Sequence, residues 1–223
     1  MRWLTACLLV ALAAAPIVAP AQERKFEPVD EGAADPSWLQ FRTRLMTALE
    51  RKDAKAVLGT LDPKIRNGEG RAEGIAGFRK IWDFDKDPGR LYTELRRLLS
   101  LGSVYVQEDK PPPVLCAPYV TFKWPDDVDP LGHGAIIVRE ALVKAKPGNR
   151  SDTVAMLGPV LVEVTDWEVA DEDPKSPQKW VKITTKAGPG YVPEEQLRSA
   201  VEHRACFRRS STGWRMVVLL SGD

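Results

Sequence analysis

The chain carries only two histidines, His133 and His203, so any imidazole chemistry must use one of them. His203 stands three residues before Cys206, a spacing that in a strand sends the two side chains to opposite faces and disfavours a cysteine nucleophile with its base. No HExxH helix, paired-cysteine zinc spacing, GxSxG elbow or phosphate-cradling glycine loop is present. Asp126, Asp127 and Asp129, with His133 four residues beyond, are the best set of oxygen and nitrogen donors for a cation. In so Pro-rich a turn they read better as solvated charges, and neither a metal nor another cofactor is expected. Glu163, Asp166, Glu168, Asp171, Glu172 and Asp173 place six like charges in eleven residues, the pattern of a self-repelling solvated loop. Arg198, Arg204, Arg208, Arg209 and Arg215 form a basic stretch opposed by Glu202. It suits contact with anionic wall polymer or headgroups, or neutralisation of the acidic loop across an internal contact.

The elements that must position these groups come from 223 residues, 43% hydrophobic and 28% charged, enough for one large or two small globular domains. Thirty-two basic against 31 acidic side chains leave +1, no field to gather nucleic acid, so no nucleic-acid partner is expected. Met1-Arg2, the apolar run Trp3 to Ala15 and the small-x-small Ala19-Pro20-Ala21 describe a secretory signal cleaved after Ala21. Leu4-Thr5-Ala6-Cys7 imitates a lipoprotein box, but only six residues precede Cys7, too few for the apolar region upstream of such a cut. An exported protein, periplasmic or secreted, follows, with no span in the remaining chain. In that compartment Cys116 and Cys206 are either two unrelated buried thiols or one bridge closing a loop of about 90 residues, worth about 4 kcal/mol.

Residues 22–34 read as a loose arm. Asp35-Pro36 then opens a helix whose Trp38, Phe41, Leu45 and Leu49 recur at three- and four-residue spacing. Asp53 caps a second helix with Val57, Leu58 and Leu61, Ile75, Phe78 and Trp82 mark a third, and Asp87-Pro88 opens a fourth that stops at Gly102. These stripes are what core burial alone demands. From Ser103 the period becomes that of strands, with Val114 to Phe122, the Pro111-Pro112-Pro113 breaker, a loop from Trp124 to Gly134, and short β-like runs beyond it. Ala205 to Arg208 and Trp214 to Leu220 flank Ser210-Ser211-Thr212-Gly213 as a closing hairpin.

Three places between Ala141 and Leu197 carry a family likeness: Leu142-Val143-Lys144-Ala145-Lys146-Pro147-Gly148, then Ser151 to Leu157, then Trp180-Val181-Lys182-Ile183 with Gly190-Tyr191-Val192. In this order they resemble a bacterial SH3-like domain. Lys144 stands where that family has arginine, Gly158-Pro159 where it has a single glycine, and the loop from Asp166 to Gln178 is unusually long. The whole chain is similar to uncharacterised exported SH3 domain-containing proteins that end like Gly213-Trp214-Arg215-Met216, with Cys116-Ala117-Pro118-Tyr119-Val120 in the same pattern. The likeness implies an α+β fold: a helical domain from 35–134 completed by a C-terminal β-hairpin at 200–223, with a small closed SH3-like barrel inserted at 135–199. A Cys116–Cys206 bridge fits that arrangement.

The resemblance also implies a non-enzymatic binding module in which Trp180 and Tyr191 either line a groove, with Trp167 as a lid, or pack inward as core, the partner being a cell-wall peptide or glycan or an envelope protein. Two other roles compete: a cone-shaped α+β domain with a small apolar pocket for a ligand or a cryptic active site, and a purely structural envelope subunit.

Overall fold

The computed structural model describes residues 23–68, 74–107 and 113–221; the signal segment expected at 1–21 and Pro111-Pro112 of the breaker lie outside them. β1 (Arg24–Lys25) and a 3-10 turn at Glu31–Ala34 lead into α1 (Pro36–Glu50), α2 (Ala54–Gly59), β2 (Leu61–Arg66), α3 (Gly74–Ile81) and α4 (Gly89–Ser100). β3 (Val104–Val106), β4 (Val114–Ala117), α5 (Tyr119–Phe122) and β5 (His133–Ile136) follow. Next come β6 (Ala141–Lys144), β7 (Thr153–Leu157), β8 (Val160–Ala170), β9 (Lys179–Thr185), β10 (Gly188–Pro193) and β11 (Leu197–Arg198), and then β12 (Arg204–Ser210) and β13 (Gly213–Leu220).

Local chemistry sets the helix ends. The Asp35 carboxylate accepts the Ser37 and Trp38 backbone N–H groups at 2.8 and 3.3 Å, with Pro36 in the first turn. Asp53 caps α2 through the Ala56 N–H at 2.9 Å. Gly102 sits at φ +76, and a Cβ there would lie 2.3 Å from the Val29 carbonyl oxygen, so only glycine turns the chain after α4.

A five-stranded sheet, in the order β2-β13-β12-β4-β3, forms one layer, antiparallel except for the parallel β13–β2 pair. The helices α1–α4 cover one of its faces. Trp38, fully buried, is the hub: its ring centroid lies 4.9 Å from Phe207, 5.2 Å from Trp214 and 5.6 Å from Phe41. Leu45, Leu49, Leu91, Leu95 and Leu98 from the helices complete this core against Leu115 and Met216 of the sheet. The final hairpin joins β4 in the middle of this sheet. There Cys206 stands directly opposite Cys116, and the two form a disulfide with a Cα–Cα distance of 4.0 Å.

The second layer is an eight-stranded sheet, in the order β11-β5-β8-β9-β10-β6-β7 with β1 added to β8. Ile136, Val143, Val162, Val164, Val181, Ile183 and Val192 pack together as its core. This corrects the expected fold class. Among the described residues, thirteen strands and five helices make the chain mostly β, built on two open sheets, with no closed SH3-like barrel inserted in an α+β domain. The physical reason lies at the start of β8. Closure requires every edge to find a partner, yet β7 and β11 end the strand order unpaired with each other. β1 pairs with Val160 and Leu161 along one side of β8, and Pro159, which has no N–H to give, accepts the Phe26 N–H at 2.9 Å.

Two further expectations change. Residues 23–34 are fastened rather than loose: Phe26 is buried, Asp30 accepts from Arg42 and from the Ser103 hydroxyl, and the Glu31 N–H donates to the Ser103 carbonyl. The strand expected over Val114 to Phe122 ends at Ala117, because Pro118 offers no ladder donor, and Tyr119–Phe122 turns helical. No helix among the described residues is long and apolar enough to cross a membrane.

Candidate functional site

Two loops at one end of the larger sheet face each other across a cleft of about 650 Å³. One is the β6–β7 turn. Its Ala145 N–H donates to the Asp152 carbonyl, its Lys146 N–H to the Ser151 hydroxyl at 2.9 Å, and its Ser151 N–H to the Gly148 carbonyl. The other follows β8. There the Asp171 carboxylate accepts the Asp173 N–H at 2.9 Å, and the Asp173 carboxylate accepts the Lys175 N–H at 3.0 Å. The Glu172 N–H donates to the Pro147 carbonyl at 2.7 Å, and Lys146 Nζ lies 3.6 Å from the Glu172 carboxylate, so the loops are tied to each other and the cleft is built before any ligand arrives. Lys146, Arg150 and Asp152 on the first loop and Asp171, Glu172 and Asp173 on the second line it, an excess of acid. Such a lining suits a polar ligand bearing an ammonium group.

Trp180 acts on this cleft from beneath. It is fully buried, and its indole N–H donates to the Asp171 carboxylate at 2.8 Å. That bond, with the Asp173 backbone N–H adding to it, holds the Asp171 carboxyl below the ordinary range. The three residues expected to line a groove are thus placed separately. Trp180 is enclosed, while Tyr191 is half-buried on β10 between Lys144 and Lys182. Trp167 is half-buried in β8 rather than in a loop, packs against the larger sheet's core, and donates to the Leu131 carbonyl at 3.3 Å. None of the three lines the cleft.

The remaining candidates are engaged elsewhere. Asp127 pairs with Arg24 at 2.7 Å, and Asp129 accepts from the Leu131 and Gly132 N–H groups at 3.0 and 3.1 Å. His133 Nδ1 lies 3.1 Å from the Asp129 carbonyl, so the carboxylates and imidazole do not converge on one point. Cys206 is in the disulfide and has no thiolate to offer His203. The basic stretch is dispersed: Arg198 is completely buried, 3.1 Å from both Glu94 and Glu202, while Arg209 reaches Asp35 at 3.8 Å and Arg215 donates to the Gly59 carbonyl. Glu172 of the acidic run is met by Lys146 and not by these arginines.

In the first domain, where a small apolar pocket is the competing expectation, the Trp38, Phe41, Phe207 and Trp214 rings pack on one another between helices and sheet. Sequence reasoning missed Lys146, Arg150 and Asp152 as site residues. The turn signal of Pro147-Gly148 between two strands was the clue that they share a loop end with Asp171.

No family model matches the chain, and no curated protein does. Among solved structures, an NTF2-like protein of unknown function from Pseudomonas putida aligns over 87% of this chain and 89% of its own, at 9% identity and a TM-score of 0.30.

Proposed function

We propose that the chain is an exported, non-enzymatic binding protein whose cleft between the β6–β7 turn and the loop after β8 takes a short polar peptide with a free ammonium group, such as a cell-wall peptide. The observation that carries this reading is the pre-tied pair of loops with the Asp171 carboxylate held in place by the Trp180 indole N–H. The signal-like N-terminus and the Cys116–Cys206 disulfide support an oxidising compartment outside the cytosol. The likeness of 141–197 to exported recognition modules supports binding rather than turnover, although those strands form an open sheet.

Retention of purified wall fragments on the immobilised full chain tests it. Retention weakens in Asp171→Asn and is lost at about 1 M salt, where screening acts over about 3 Å. Fragments held equally by the unaltered chain and by Asp171→Asn would remove the cleft from the account.

A further inference from the structure

At Gly59 and Gly213 an added Cβ would meet nothing within 4 Å. Both glycines border a cleft of about 330 Å³ between α1, α2 and the β12–β13 turn, on elements that take no part in the polar cleft of the larger sheet. Its floor is apolar and firm: Phe41, Leu45, Ala48 and Trp214 are all buried parts of the helical core. Its rim is cationic. Arg44 and Arg215 line it and no carboxylate does.

The two arginines are held differently. Arg215 Nη1 donates to the Gly59 carbonyl at the C-terminus of α2 and lies 3.5 Å from the Leu61 carbonyl, which anchors the guanidinium at the cleft edge. Arg44 is exposed on α1 and has no ion-pair partner among the described residues. A small concave site with an apolar floor and a few convergent polar groups has the general form of a small-molecule site. Guanidinium groups recognise carboxylates through paired hydrogen bonds.

We infer that this cleft binds a small amphipathic carboxylate, its head between Arg44 and Arg215 and its short apolar body on the uncovered edges of Phe41 and Trp214. Charge selects the head, since an uncompensated cation is present at the rim. The buried aromatic floor selects the body, because apolar surface leaves water there. A neutral alcohol satisfies only the floor, and a bare short carboxylate only the rim.

Calorimetric titration of the full chain with octanoate, octanol and acetate tests this. Octanoate saturates one site, and octanol and acetate each bind at least about tenfold more weakly. Arg44→Gln, an exposed substitution that leaves the core intact, weakens octanoate by about tenfold. Gly59→Leu places a side chain in the open space without altering charge. Gly59 has no positive φ, so the chain accepts it, and octanoate binding is lost while the melting temperature holds. Absence of saturation by octanoate, equal binding of octanol, equal binding of acetate, or an unchanged affinity in Arg44→Gln would each overturn the assignment.

Discussion

Removing the disulfide in Cys116→Ala/Cys206→Ala tests what holds the smaller sheet together. The bridged residues are 90 apart in sequence, and they join β4 to β12, strands that meet only after the whole larger sheet has been traversed. Cross-linking a loop of that length removes denatured-state entropy worth about 4.6 kcal/mol at 25 °C. The native state loses little beyond the sulfur atoms, because the flanking ladder pairs Ala205 with Ala117 and Phe207 with Leu115 independently of the bridge. For a chain of this size each kcal/mol moves the melting temperature by about 2–4 °C, so a drop of about 9–18 °C is expected. Calorimetric melting of the unaltered chain, with and without reductant, and of the double variant reads it out. Reductant should lower the melting temperature of the unaltered chain and leave the variant's unmoved. A variant within about 1 kcal/mol of the unaltered chain would refute the loop-entropy reasoning.

Trp180→Phe leaves a smaller aromatic ring in the core and removes the donor to Asp171. The carboxyl pKa then rises toward its ordinary value in an NMR titration, and an unchanged titration would show that the indole does not hold the charge. Arg198→Met leaves Glu94 and Glu202 without their buried cation and costs about 3–5 kcal/mol in urea unfolding, most of which Glu94→Gln in the same chain restores. Burial first, then the charges of Arg198 and Arg90, hold the His203 pKa below the ordinary imidazole value, while Glu94 and Glu202 pull the other way. The unfolded chain therefore takes up the proton first: the contribution of this residue is whole above about pH 6.5 and is lost as the pH falls through its folded value. His203→Gln flattens the stability profile on that acidic side, and an identical slope in both proteins would reject the linkage.

Much of the helical layer was legible because its signals are local. Asp35-Pro36 and the spacing of Trp38, Phe41, Leu45 and Leu49 specify a capped amphipathic helix without reference to anything distant, and all four side chains are buried. β2 was not legible. Leu61-Asp62-Pro63-Lys64-Ile65-Arg66 has apolar residues four apart around a proline, a helical or loop pattern, and becomes a strand only because β13 lies parallel beside it. Closure of the barrel was likewise undecidable from period, since it depends on which distant strands pair: β7 and β11 do not, and β1 from the start of the chain lies beside Val160 and Leu161. Trp180 shows the limit for the site. Its type is open between groove wall and core, and neither reading points to its indole bond with Asp171, a residue whose charge in sequence reads as mere solvation. The convergence of Lys146 and Arg150 with Asp171 rests on contacts between loops, the Glu172 to Pro147 backbone bond and the Lys146–Glu172 pair, which no composition or periodicity encodes.

The position of the disulfide has a consequence for how the molecule withstands damage. Cys116 and Cys206 sit at the neck through which the chain departs for β5–β11 and comes back. A peptidase that nicks any exposed turn within that excursion therefore leaves two fragments still covalently joined at the neck. On a non-reducing gel such a nicked molecule migrates near the mass of the intact chain, and it separates into two pieces only when thiol is added.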